Sequence, residues 1–363
     1  MMAHMGSIPL YDPNPVADAS HDVRAPGGYE WWYFDAEDPA TDTQVVAIYL
    51  HGFVFHPGYL RAIGHYLKRP TKRTPPVASD FPCMYLCVYR GGKIAHQFMT
   101  QYRPADFRSS KDALDVAIGP NRLTRQGDAM RLNLTGTPWQ LTWQGPKTLT
   151  DQSLTADITF TPTFSHAPAE RVFLSRAMTG ADHRWVIANP RCEVSGSIEL
   201  SRGAAGGEKI SFAGRGYHDH NYGTGPLGPG LRHWIWGRAI LDDRVMTFHY
   251  AIPTDRSLPD EIHLVEADAA DFREILVDRV SADWSGRTGV NVRYPKRLAF
   301  DESLVLTSPR VIDSSPFYMR LMYEATVRGQ RAQAFCEVAC PNRLRWPILG
   351  RMIEMSIDKR ACK

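Results

Sequence analysis

The sequence predicts an all-β protein of two tandem β-barrel units with few short helices. Three observations carry that expectation: strand-like runs recur along the chain, turn residues separate them at short intervals, and 363 residues exceed what one small barrel uses. A hydrophobic content of 43% is ample for two substantial cores, and we place the units at residues 8–200 and 201–363. Met1–Ser7 reads as a non-native leader and is set aside.

In chain order, Gly27-Gly28 is a turn feeding an aromatic strand at residues 29–35. Residues 44–51 supply its hairpin partner, with Asp42 in the connection. Alternation puts Glu30, Trp32 and Phe34 on one face, where they would line a cavity or simply fill a core. Residues 66–80, rich in Lys, Arg, Thr and Pro, read as an exposed loop. Strands follow at 84–89, 93–99, 130–134, 139–143 and 153–161, with one short helix expected within 165–180. A further strand spans 189–200, and the Gly/Ala-rich residues 201–208 link it onward. Residues 232–241 and 244–252 make a hairpin around Asp242-Asp243, with Trp234, Trp236 and Arg238 on one face. The strand rhythm continues at 261–266, 289–294, 304–307, 317–327 and 333–338, and residues 344–357 fit strand or helix.

Chemistry concentrates in Gly214-Arg215-Gly216-Tyr217-His218-Asp219-His220-Asn221-Tyr222-Gly223. The alternating lead-in Lys209-Ile210-Ser211-Phe212 sets a strand phase with Tyr217, Asp219 and Asn221 on one face and His218 and His220 on the other. A carboxyl beside aromatic rings on an inward face has its charged form disfavoured, which makes Asp219 the leading candidate for a catalytic acid. His183 and Trp185, two apart, share a face of the preceding strand.

Charge excludes some classes. The formal net charge of +3 is near neutral for this length and the basic residues are scattered, which argues against a nucleic-acid partner. No apolar run approaches the ~20 residues of a membrane-spanning helix, so the chain reads as soluble and cytoplasmic. Six cysteines are too sparse for a disulfide framework, and the two Cys-x3-Cys pairs (Cys83/Cys87, Cys336/Cys340) read as buried free thiols rather than zinc ligands.

The combination Glu30-Trp31-Trp32-Tyr33, His183-x-Trp185, Tyr217-x-Asp219, Ser315-Pro316-Phe317-Tyr318 and Pro341-Asn342-Arg343-Leu344 resembles the carotenoid 1,2-hydratase, or hydroxyneurosporene synthase, family over most of the chain. The framework is also similar to that of fungal Diels-Alderases. The resemblance implies tandem lipocalin-like β-barrels, no metal or organic cofactor, a hydro-lyase acting on an apolar isoprenoid or polyene, and peripheral membrane contact for substrate access. It implies catalytic roles for Asp219, His183, Tyr217 and Trp185, while the flanking Trp32, Glu30, His218, His220, Asn221, Trp234 and Trp236 are expected at the substrate. The sequence departs from the family in His218 and His220 around Asp219 and in its long Gly/Pro-rich loop. With water excluded, the same acid and aromatics would permit isomerisation or cyclisation, and three further alternatives stand beside this chemistry: a pericyclase that folds a polyene, a lipocalin-like carrier, and a metal site using His218, His220 and another His.

Overall fold

A computed structural model of the protein describes residues 18–164, 172–175, 183–203, 206–227 and 230–362. Its strands come in two groups. The first holds β1 (Tyr29–Asp38), β2 (Thr43–His51), β3 (Cys83–Arg90), β4 (Lys93–Gln101), β5 (Phe107–Ser109), β6 (Asp115–Ile118), β7 (Asn121–Gln126) and β8 (Ala129–Gly136). It continues through β9 (Trp139–Thr142), β10 (Gly145–Thr148), β11 (Ser153–Pro162), β12 (Val172–Ser175), β13 (His183–Ser201) and β14 (Gly207–Gly223). The second group begins with β15 (Leu231–Ile240), β16 (Arg244–Pro253), β17 (Glu261–Asp268), β18 (Phe272–Glu274), β19 (Val280–Asp283) and β20 (Gly286–Arg287). It ends with β21 (Arg293–Tyr294), β22 (Arg297–Phe300), β23 (Leu304–Ser314), β24 (Tyr318–Val327) and β25 (Gln330–Ala339). Two helices, α1 (Pro57–Lys68) and α2 (Pro347–Ser356), complete the regular structure with short 3-10 turns.

The all-β expectation stands, but the ladders trace two curled antiparallel sheets rather than closed barrels. The first runs β4-β3-β2-β1-β14-β13-β11-β8-β7-β6-β5, with β12 on β13; the second runs β18-β17-β16-β15-β25-β24-β23-β22-β19. The first curls enough to bring β4 against β8, β9 and β11, and its inner face closes over Trp32, Phe34, Leu86, Phe98, Leu132 and Phe160. Its outer strand β5 is three residues long, too short to extend a ladder around to β4.

Sheet membership changes between Gly223, the end of β14, and Leu231, the start of β15. Within 201–208, expected to link strands, β13 ends at Ser201 opposite Gly207 of β14, and β14 pairs with β1 from Tyr29↔Gly223 to Glu37↔Arg215. The Gly/Pro-rich segment beginning at Thr224 is the passage to the second sheet. The glycines of Gly214-Arg215-Gly216 let β14 lie close on β1. A Cβ at Gly214 would meet the Glu37 carbonyl oxygen at 2.0 Å, and one at Gly216 would meet that of Asp35 at 2.7 Å.

The sheets pack on each other through a third core that includes Trp31, Tyr33, Trp185, Tyr217, Trp236 and Phe335. This layer is unusually polar. Arg238 is buried in an ion pair with Asp35, and its Nη1 donates to Glu37 at 3.3 Å. Arg320 donates to Glu337 at 2.9 Å and to the hydroxyls of Tyr85 and Tyr89, each at 2.8 Å. Buried charge is tolerated here because each guanidinium meets carboxylate and hydroxyl oxygens in fixed geometry.

Cys83, Cys87, Cys192, Cys336 and Cys340 are buried free thiols, as expected, and Cys362 is half-buried. The ambiguous stretch at 344–357 resolves as α2. Helix α1 is an element that sequence reading did not assign, although Pro57 at its first turn and Tyr59, Ile63 and Leu67 at fourfold spacing mark it. The short helix expected within 165–180 falls largely outside the described residues, and the described part, 172–175, is strand.

Candidate functional site between the sheets

The second half of β14 is buried on both faces, whereas its first half alternates exposed and buried residues. One face looks across at the second sheet and the other into the core of the first. Period-two alternation therefore splits the polar run into two separate environments.

On the inter-sheet face, Asp219 is the hub. Trp185 Nε1 donates to its Oδ2 at 2.8 Å, the Tyr217 hydroxyl to the same oxygen at 3.0 Å, and Asn221 Nδ2 to Oδ1 at 2.7 Å. Burial raises the acid's pKa, the Trp185 and Tyr217 donors lower it, and repulsion from Glu337 and Asp35 adds to the rise; the carboxyl is pushed up to about 8. At neutral pH it is mainly a protonated acid. The Tyr217 hydroxyl can rotate to accept that proton, while Trp185 can only donate.

His183 lies in the same layer. Its Nδ1 is 2.7 Å from the Tyr29 hydroxyl, and its ring meets Trp31 and Trp234 at 5.7 and 6.5 Å between centroids. Burial, with repulsion from His263, takes its pKa down to about 3 against the raising effect of a hydrogen bond to Asn221. Asn221 thus touches both Asp219 and His183. Sheet pairing explains the grouping: Asn221 stands opposite Trp31 on one side and Trp185 on the other.

The second sheet supplies Trp234, Trp236, His249 and His263. Trp236 lies 5.3 Å from the Tyr217 ring and 5.0 Å from Tyr33. His249 lies 5.8 Å from Trp185 and 6.0 Å from Trp234. Neither ring nitrogen of His249, nor Nε1 of Trp234 or Trp236, meets a hydrogen-bond partner among the described residues. Burial, then repulsion from His263 and His183, holds His249 well below its ordinary pKa, so it is a neutral imidazole. An unmade buried hydrogen bond costs about 1–3 kcal/mol, so these four nitrogens are a cost of the packing between the sheets.

Sequence reading missed His249 and His263, yet a signal existed. The hairpin around Asp242-Asp243, read outward, places His249 opposite Trp236, and β17 then places His263 opposite His249. Phe248 and Tyr250, on either side of His249, face the second sheet's own core.

Glu30, Trp32, His218 and His220, expected at the substrate, lie on the far face of β1 and β14, away from Asp219. There they close a compact ionic network with Asp18, Ser20 and His21. His218 Nδ1 donates to the Tyr33 carbonyl oxygen at 2.8 Å, so its Nε2 shares a proton with Asp18 at 3.0 Å. The buried Glu30 accepts from the Ser20 hydroxyl at 2.9 Å and the His21 amide at 2.7 Å, and pairs with His220 Nε2 at 3.0 Å. Burial would raise Glu30, but hydrogen bonds from His21, His220 and His51 take its pKa well below the usual carboxylate range. Trp32 stacks on His220 at 4.7 Å and donates Nε1 to the Asp18 carbonyl oxygen at 3.0 Å.

Among the described residues, His21, Glu30 and His220 form a group able to hold a metal ion, with ligand atoms within 4.8 Å of one another. Both Glu30 oxygens are already engaged by hydrogen bonds, which satisfies the group as a proton-sharing network.

Comparison with known proteins fits this architecture. A family model for the carotenoid hydratase CrtC matches residues 48–363. Hydroxyneurosporene dehydrogenase from Chlorobaculum tepidum is 28% identical over 315 residues, covering 84% of this chain and 79% of that protein. An acyclic carotenoid 1,2-hydratase from Thiocapsa roseopersicina is 24% identical over 350 residues, covering 95% and 77% of the two chains. A crystal structure from Nitrosomonas europaea, described under the name AttH, has a TM-score of 0.58 at 18% identity over 94% of this chain and 100% of that one, a likeness of fold alone.

Proposed function

The chain belongs to the carotenoid hydratase family, and from that premise we propose that it protonates an alkene of an apolar isoprenoid, with Asp219 as the acid and water as the usual second reactant. Membership supports a hydratase- or isomerase-type reaction on an isoprenoid alkene. The relatives named acyclic carotenoid 1,2-hydratase make a long polyene end group the favoured substrate class.

The observation that carries the choice of acid is the buried Asp219 carboxyl, held near a pKa of about 8 beside the ring of Trp185. An isolated alkene is a weak base, so its protonation needs a neutral acid already in place and an environment that favours the resulting cation over water. In the step proposed, the Asp219 proton goes to the less substituted alkene carbon and the π electron pair becomes the new C–H bond. The tertiary cation left behind faces the π clouds of Trp185, Trp234 and Trp236. Water adds through its oxygen, and its surplus proton passes to a neutral imidazole, His183 or His249, or to the Asp219 carboxylate. Transfer of a neighbouring proton from the same cation back to the Asp219 carboxylate, in place of water addition, gives isomerisation.

The test is turnover of an acyclic carotenoid in heavy water. Hydration places one deuterium on carbon in the product; a product formed with no deuterium on carbon would remove Asp219 as proton donor and favour a cavity that only folds a polyene.

A further inference from the structure

The apolar surface of this protein is unevenly distributed. Of the ten large apolar side chains exposed among the described residues, seven fall on α1, on α2 with the turn before it, and on the β9–β10 hairpin. These elements adjoin: Arg61 of α1 reaches Glu354 of α2 at 3.2 Å, Pro57 abuts Gly350, and the Met355 methyl packs over Gly145 of the hairpin. Trp143, at the hairpin tip, is 92% exposed. On α2, Ile348, Met352 and Met355 form an exposed stripe at i, i+4 and i+7, while Leu349 and Ile353 face inward, Ile353 against the inter-sheet core. A surface helix apolar on both its buried and its open side has no reason to be so in water alone.

Charge identifies what would cover it. Residues 57–74, 139–150 and 341–356 together hold nine Lys or Arg and one acid, Glu354, in a chain whose totals are 42 and 39. That acid is occupied by Arg61 and Lys359. Beside Trp346 opens a cavity of about 320 Å³ lined by Arg232, Arg287, Arg293 and Arg343. A second copy of the chain docked by two-fold symmetry would set this basic surface against itself. An exposed Trp, an apolar helix stripe and a basic rim suit an interface between hydrocarbon and anionic headgroups.

We propose that the surface made by the β9–β10 tip, α2 and the arginine-lined cavity docks the protein on an anionic lipid bilayer, Trp143 and the α2 stripe entering the acyl boundary and the arginines holding headgroup phosphates. Docking would bring an apolar substrate to α2, whose inner side borders the inter-sheet core, although the inference stands on the surface rather than on the reaction assigned above.

The experiment is co-sedimentation with phosphatidylcholine vesicles with and without 30% (about a third) phosphatidylglycerol. It compares the parent with Trp143→Ser/Ile348→Ser/Met352→Ser, whose side chains are exposed. The parent should bind the anionic vesicles, lose binding as salt rises, and exceed the variant by at least about tenfold in partition coefficient. Arg287→Ala/Arg293→Ala should reduce the anionic preference alone. No sedimentation of the parent, or equal sedimentation of parent and triple variant, overturns the proposal. So does a parent that ignores vesicles but is a dimer in ultracentrifugation where the triple variant is a monomer. Sedimentation is read without turnover, so failure of the hydratase reading leaves this result standing.

Discussion

The two faces of β14 place polar residues one position apart in opposite states. Asp219 looks across at the second sheet, where burial dominates and the acid is neutral with a pKa of about 8. Glu30 and Asp18, which meet His220 and His218 behind the same strand, are equally buried but held below their usual range by imidazole partners. Both neighbourhoods are rich in histidine. What differs is partnership: the inward face pairs each carboxylate with imidazoles, while the inter-sheet face gives Asp219 neutral donors and keeps His183 and His249 uncharged. The Asp219 and Glu30 carboxyls are both fully hydrogen-bonded, and the charge state of the partners, not their number, separates the two faces.

The sharpest way to break this contrast is to damage each face separately. Glu30→Leu leaves His220 and His51 buried without their acceptor and should lower unfolding free energy by about 3–5 kcal/mol in urea titration. Full stability with lost turnover would instead move the active chemistry to the inward face. Asp219→Asn keeps shape and removes the titratable proton; turnover should fall at least ~100-fold, while at pH ~3, where the parent carboxyl is protonated folded and unfolded, the urea midpoint stays close to the parent's. His249→Phe takes away ring nitrogens that have no partner among the described residues, so stability should hold and turnover drop about 10-fold, less than the ~100-fold of a direct proton donor.

Titration sharpens the same comparison, with opposite signs for the two faces. The raised Asp219 pKa means the folded protein keeps a proton that the unfolded chain releases near pH 4, so its contribution to stability is complete below pH ~4 and declines as pH rises to about 8. Turnover that needs the protonated acid should fall above pH 8. The lowered Asp18 and Glu30 contribute above pH ~4 and are lost as pH falls through their folded values. Urea titrations of parent and Asp219→Asn across pH 3–10 should therefore converge in slope at the acid end and differ between pH ~4 and about 8. A parallel pair of curves would count against a neutral Asp219. The smallest effect expected is from chelation: exhaustive dialysis against EDTA should leave turnover unchanged, and one equivalent of tightly bound zinc would recast His21, Glu30 and His220 as ligands.

The sequence by itself determined the all-β class and the split of Tyr217, Asp219 and Asn221 from His218 and His220, because alternation along a strand is a local property of the backbone. It also determined the buried free thiols, and the Trp236 to His249 pairing was present in the hairpin arithmetic though unread. Only the tertiary structure decided which face of β14 meets another sheet. Both faces carry polar and aromatic residues, so local pattern could not rank them. The same limit applies to sheet membership: the sheet that β14 joins is known only from its long-range partner, β1. The ionisation of Asp219 depends on the desolvation that the second sheet completes and on Glu337 and Asp35, residues more than one hundred positions away in either direction.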